Sequence, residues 1–351
     1  MIKSSNPGSY YYVCTRMRVR KTQLIPREEY LRILHMSLPE ITLFIEGTQY
    51  KQEIDELATS FSGIDLMEVA LSWNLAKEYQ KILDIAPGAL KSLTASYLRK
   101  WDIQNVLTIL RGKVQGVKSG RIKEVLIPAG ALDRSVLDRL LLEETPERIV
   151  DALKSYRIHS VIARELSGAM ETGSFDRMEN ELYKQFYEGI LKEAQGGLKG
   201  GEYFLEYVRL EIDIKNMINL FRLMGREAGG DVSMVLIPGG GIYKMDDLMR
   251  MIGIRDLNEL VTALSERTIL EPLLEVLEDL KKERSIREIE ILLTRFQLAQ
   301  MERLSKRYPF SIYPVLTYLE SKRIEVYNLR AIARGKERDL PADLIRNYLV
   351  M

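Results

Sequence analysis

The chain has 351 residues, more than one hydrophobic core usually organises, and its 46% apolar content is enough for two or three packed units. With 51 basic residues against 50 acidic, no large single-sign field points to nucleic acid or to an anionic membrane surface, and one cysteine, Cys14, excludes an intrachain disulfide framework and Cys-rich metal sites. No run free of Asp, Glu, Lys and Arg exceeds 12 residues, short of the roughly 20 that a spanning helix needs. The opening residues "MIKSSNPGSY" lack the apolar region of a secretory signal, so a soluble or peripheral protein is expected.

Taken in chain order, long Leu/Ile/Glu/Lys/Arg-rich runs separated by short breakers predict an all-α protein. A stub ends at Leu24-Ile25-Pro26, and "REEYLRILHM" follows as a helix. "WDIQNVLTILRGK" then presents Asp102, Ile103, Asn105 and Arg111, the first copy of a motif. "KEVLIP", too short to assign by periodicity, brings a second Leu-Ile-Pro at Leu126 to Pro128 and leads into "AGALDRSVLDRLL". In "ETPERIVDALKSY" Thr145 suits an N-cap and Pro146 the first helical position.

The motif returns in "IDIKNMINLFRLMG" as Asp213, Ile214, Asn216 and Arg222, and in "RIEVYNLRAIARGK" as Glu325, Val326, Asn328 and Arg334. The asparagines are 111 and 112 residues apart (216 − 105 and 328 − 216). A third Leu-Ile-Pro, Leu236 to Pro238, precedes the helical "GGGIYKMDDLMRM". Ser285 and Glu288 have the spacing of a capping box at the head of "SIREIEILLTRFQLAQMERLSKRY". A shorter echo, Leu340-Pro341, precedes "ADLIRNYLV". These marks predict three helical repeats over 24–117, 118–228 and 229–336, with stubs at 1–23 and 337–351. The period is far too long for a 34- or 40-residue solenoid.

On a helical wheel Asp102 falls inside an apolar arc of Ile103, Val106, Leu107, Ile109 and Leu110; Asp213 and Glu325 do the same in their copies. A carboxylate there needs a buried partner, either backbone N–H groups at the start of a neighbouring helix or an arginine. Arg111, Arg222 and Arg334 lie on the opposite side, beside Gln104, Lys215 and Tyr327. If the repeats share an axis, Gln104, Thr108 and Arg111, with Lys215, Asn219 and Arg222 and with Tyr327 and Arg334, could line a common polar concavity for a partner.

No catalytic constellation stands out. "GGDVSMVLIPGGG" and "AQGGLKGGEY" read as loops, because neither has the arrangement of a phosphate-cradling loop. Arg-Gly-Lys at 111–113 and 334–336 reads as helix C-capping. His35 and His159 are the only histidines and do not suggest a metal site, and no cofactor is expected.

The opening "YYYVCTRMRVRKTQLIPREEYLRIL", the thrice-used motif helix and the Leu-Ile-Pro elements together resemble the C subunit of archaeal-type (A-type) ATP synthases, related to the d subunit of V-type ATPases, over about Tyr10 to Tyr348. The resemblance implies an all-helical funnel of three pseudo-symmetric domains with no enzymatic activity of its own. It further implies a rotor part joining the membrane proteolipid ring to the D and F subunits of the central stalk, peripheral to the cytoplasmic side of the cell membrane. Readings from other classes are a free-standing helical scaffold that binds peptides or proteins and an enzyme with an unrecognised site; a co-purifying proteolipid ring separates the first reading from both.

Overall fold

In a computed structural model, residues 7–224, 235–282 and 285–351 are described, and they form helices joined by turns with no strand among them. The expected repeat boundary at 228/229, and residues 229–234 of the glycine-rich run, lie outside the described residues. Thr145 caps its helix by accepting from the Arg148 N–H at 3.4 Å, with Pro146 in the first turn. Ser285 and Glu288 close a reciprocal box, the Ser285 N–H donating to Glu288 at 2.9 Å and the Glu288 N–H to Ser285 Oγ at 3.2 Å.

Each copy of the motif lies on a helix: Lys100–Val114, Gly201–Met224 and Tyr313–Glu337. A long helix precedes each of them, respectively Gly63–Ile85, Asp176–Gln195 and Ile286–Arg307. Ile103, Val106, Leu107, Ile109 and Leu110 on the first motif helix are all 1% exposed or less, as the wheel predicts.

The chain divides into two compact units, one built from residues 1–105, 117–141 and 302–351 and the other from 106–116 and 142–301. In the first, the Tyr313–Glu337 helix packs against Pro7–Lys21 and Gly63–Ile85. Its interior is unusually charged. Glu320 accepts from Lys100 Nζ at 2.5 Å, Arg323 Nε at 2.7 Å and the Tyr97 hydroxyl at 2.8 Å. Burial pushes the Glu320 carboxyl up, but Arg323 and Lys100 overcome it and hold the group well below the usual carboxylate range. The second unit instead has an apolar core, in which Met217, Leu220 and Phe221 meet Leu260, Leu264, Leu273, Leu277 and Leu293.

One local expectation is corrected. Gly112 and Gly335 do not end their helices; both are buried inside them, at 100–114 and 313–337. A Cβ on Gly335 would stand 2.6 Å from Ile345 Cγ1, so this glycine permits the close approach of the short Ala342–Arg346 helix. Gly335→Ala is expected to lower stability by about 1 to 3 kcal/mol through overpacking, measured by thermal or urea denaturation; unchanged stability would show that Ile345 moves aside freely.

Candidate functional site

The two repeated marks of the sequence meet. Asn105 Nδ2 donates to the Ile127 carbonyl at 2.7 Å and its Oδ1 accepts from the Ile127 N–H at 2.9 Å. Asn216 makes the same pair with Ile237, both bonds 2.8 Å. Ile127 and Ile237 are the middle residues of Leu-Ile-Pro. Both isoleucines are buried outside any helix, and a primary amide can serve the N–H and the carbonyl of such a residue together.

Just beyond each proline, the turn delivers amides to the acid. Asp102 accepts from the Ala131 N–H at 2.9 Å and the Leu132 N–H at 2.8 Å. Asp213 accepts from Gly241 at 2.7 Å, Ile242 at 2.9 Å and Tyr243 at 3.2 Å. Of the two partner types left open by the sequence, it is the backbone that binds the carboxylate. A Cβ on Gly130 would stand 2.2 Å from Asp102 Oδ1, and one on Gly240 2.2 Å from Asp213 Oδ1, so only glycine lets the turn close over the acid. The glycine run read as a plain loop is, at 239–241, a carboxylate cradle.

In the third copy this clasp is divided between distant segments. Asn328 pairs with Val350, donating to its carbonyl at 2.8 Å and accepting from its N–H at 2.9 Å. Glu325 accepts from the Ile25 N–H at 2.6 Å, the Tyr50 hydroxyl at 2.7 Å, Gln49 Nε2 at 2.9 Å and Lys322 Nζ at 2.9 Å. Ile25 thus does what Leu132 and Tyr243 do, and all three stand two residues before a helix, Arg27–Ile33, Arg134–Leu142 or Met245–Met251. Leu24-Ile25-Pro26 is therefore not the structural counterpart of the other two Leu-Ile-Pro elements; Leu349-Val350-Met351 is. No glycine cradle precedes Ile25, and the longer glutamate, with a fully buried lysine beside it, takes the place of the missing turn amides. Burial pushes the Lys322 ammonium below its ordinary value against the pull of Glu325.

The motif arginines face away from the acids, and each finds a glutamate. Arg111 meets Glu179 at 2.7 Å, Arg222 meets Glu290 at 2.7 Å, and Arg334 meets Glu68 at 2.5 Å. Glu68, Glu179 and Glu290 are spaced by 111 residues twice (179 − 68 and 290 − 179) on the three long helices. The order is cyclic: each copy's arginine binds the next copy's glutamate, and the third returns to the first. That glutamate spacing is visible in the sequence but carries no local pattern to draw attention to it. Arg330 donates to Ser72 Oγ at 2.5 Å.

Among the remaining stripe residues, Gln104 is exposed and Thr108 half-buried. The half-buried Tyr327 donates its hydroxyl to the Tyr348 carbonyl at 3.2 Å. Lys215 lies 4.8 Å from the centre of the Tyr183 ring, and Asn219 donates to the Val235 carbonyl at 2.8 Å. In this second copy the structure brings Lys215, Asn219 and Arg222 together along one groove of about 350 Å³, whose other wall includes Asp176, Glu179 and Tyr183. Among the described residues no group of three or more His, Cys, Asp and Glu side chains could hold a metal ion.

The profile of the ATP synthase (C/AC39) subunit family matches residues 13–348. The C subunit of the A-type ATP synthase of Methanococcoides burtonii is 36% identical, with 99% of this chain and 96% of that protein covered. The corresponding C subunits of Haloferax volcanii (34% identical, 99% and 98% covered) and Archaeoglobus fulgidus (31%, 100% and 99%) are similar over the same extent.

Two outcomes follow from the acid cradle. Asp102→Ala or Asp213→Ala leaves turn amides without an acceptor and is expected to cost about 1 to 3 kcal/mol of stability in urea melts. Burial raises both carboxyls from 3.8 to about 6, with the backbone N–H bonds opposing it only in part. A folded-state value above the unfolded one means that folding takes up a proton. The stability each group adds is complete below pH 3.8 and is lost as the pH rises through about 6. Relative to Asp213→Asn, the parent protein should therefore lose up to about 3 kcal/mol between pH 4 and 7, a difference read from paired melts. Parallel pH profiles would show that the carboxyl stays ionised throughout.

Proposed function

Because this chain belongs to the ATP synthase (C/AC39) subunit family, we propose that it works as a non-catalytic part of a rotary ATP synthase, joining the membrane proteolipid ring to the central shaft. Torque passing through it would link proton or sodium translocation to ATP synthesis or hydrolysis in a catalytic head it does not itself contain. The observation that carries this reading is the match over residues 13–348, with relatives named as C subunits of A-type ATP synthases aligned over nearly their whole length. Among the described residues no helix is long and apolar enough to cross a membrane, which suits attachment through the ring.

The repeated design supports the mechanical part of the proposal. A unit whose arginine binds the next copy's glutamate, with the third returning to the first, suits a part that presents one face three times. The residues proposed to meet the D and F subunits of the shaft are Gln104, Thr108 and Arg111, with Lys215, Asn219 and Arg222 and with Tyr327 and Arg334. A polar surface suits a joint that must stay soluble before assembly, since a large apolar socket would invite aggregation.

The test is retention on this chain, tagged, from detergent-solubilised membranes. Proteolipid and both shaft proteins are expected to be held, and Lys215→Glu is expected to weaken shaft binding about tenfold, more so at low salt, with helix content unchanged. Retention of neither ring nor shaft would overturn the coupling role. Shaft binding indifferent to Lys215→Glu would remove the polar stripe from it.

A further inference from the structure

The helix Pro7–Lys21 has one face that the clasps and the arginine cycle leave unused. Its inner face, Tyr10, Val13, Cys14 and Met17, is buried at the i, i+3, i+4, i+7 positions. The outer face repeats the same spacing twice with a different chemistry. One row carries Tyr12, Arg16 and Val19; the other carries Tyr11 and Arg18 beside Phe310. Tyr11, Tyr12, Val19 and Phe310 are 49%, 53%, 57% and 47% exposed, and both arginines are exposed.

The aromatic and cationic groups are interlocked. Arg16 Nη1 donates to the Tyr12 hydroxyl at 2.8 Å, and Arg18 lies 5.6 Å from the centre of the Phe310 ring and donates to the Pro309 carbonyl at 2.9 Å. Tyr11 packs edge-on to Phe310, ring centres 4.3 Å apart. The helix contains no Asp or Glu at all. Its inner basic residues, Arg20 and Lys21, are paired with Glu78 and Glu302, whereas among the described residues Arg16 and Arg18 meet only a hydroxyl, a carbonyl and rings. Exposed tyrosine and phenylalanine rings held beside arginines that meet no described acid form the combination that settles at the headgroup level of a bilayer. There the rings enter the interfacial layer and the guanidinium groups meet phosphates. The face is the ridge of one helix rather than a groove, a shape suited to a plane.

We propose that this face, Tyr11, Tyr12, Arg16, Arg18, Val19 and Phe310, rests on the anionic lipid surface of the membrane. The contact is electrostatic and shallow, so it is reversible and weakens with salt. It is separate from the shaft joint.

The experiment is flotation of the full chain with vesicles of phosphatidylcholine alone and of phosphatidylcholine mixed with phosphatidylglycerol. The anionic vesicles are expected to carry the chain, the neutral ones to leave it behind, and added salt to release it. Arg16→Glu combined with Tyr12→Ser should reduce the bound fraction about tenfold while circular dichroism stays unchanged, and Arg16→Lys should bind like the parent. The proposal is overturned if anionic vesicles leave the chain behind or if the double variant floats equally well. It is also overturned if only detergent-solubilised proteolipid ring captures this face, which would make it a protein contact. A chain that floats but does not hold the shaft sinks the coupling role and leaves this surface standing; a chain that holds the shaft and ignores lipid does the reverse.

Discussion

Asp102 and Asp213 sit among apolar side chains where an unpaired charge would cost several kcal/mol, and the groups that meet their oxygens are backbone amides of a tight turn. This demand shapes the surrounding chain. The turn must contain glycine to come within reach, and the middle isoleucine of the Leu-Ile-Pro segment leading into it, buried outside any helix, has its backbone satisfied by Asn105 or Asn216. Acid, asparagine, proline segment and glycine thus form one interdependent set, and none of the four explains itself alone.

The third copy shows what happens when one member is missing. Without a glycine cradle, Glu325 receives a single backbone amide and compensates with a tyrosine hydroxyl, a glutamine and Lys322. A buried ion pair of this kind adds little net stability against an apolar alternative, because both ions lose their hydration. Its value lies in geometry. Lys322 and Glu325, together with Glu320 and its two cationic partners, allow the Tyr313–Glu337 helix few ways to sit, whereas the leucine-rich core of the other unit is fixed by shape.

Much of this was legible in the residues. The helical class, the caps at Thr145 and Ser285, the burial of Asp102 and the outward turn of Arg111 all follow from local periodicity, which depends on neighbours three or four positions away. What periodicity cannot show is which distant segment answers a buried group. Leu24-Ile25-Pro26 has the same letters as Leu126-Ile127-Pro128 but the role of Leu132, and Val350 has the role of Ile127 without a proline after it. Identity of spelling and identity of place part company there, because a backbone N–H or carbonyl is the same in every residue. The Glu68, Glu179 and Glu290 series carries no local signal for a related reason: glutamates on helices are common, and only their arginine partners single them out.

The divided third clasp also orders events in time. Asn105 and Ile127, or Asn216 and Ile237, are 22 and 21 residues apart, so those clasps close soon after their helices form. The bond from Ile25 to Glu325 spans 300 residues. Closing a loop of that length costs roughly 2 kcal/mol more in chain entropy than closing one of about 22 residues. On a ribosome the Ile25 amide would have to wait through nearly the whole of synthesis for its acceptor. The first two clasps join segments that emerge close together, whereas the Ile25–Glu325 bond needs segments 300 residues apart.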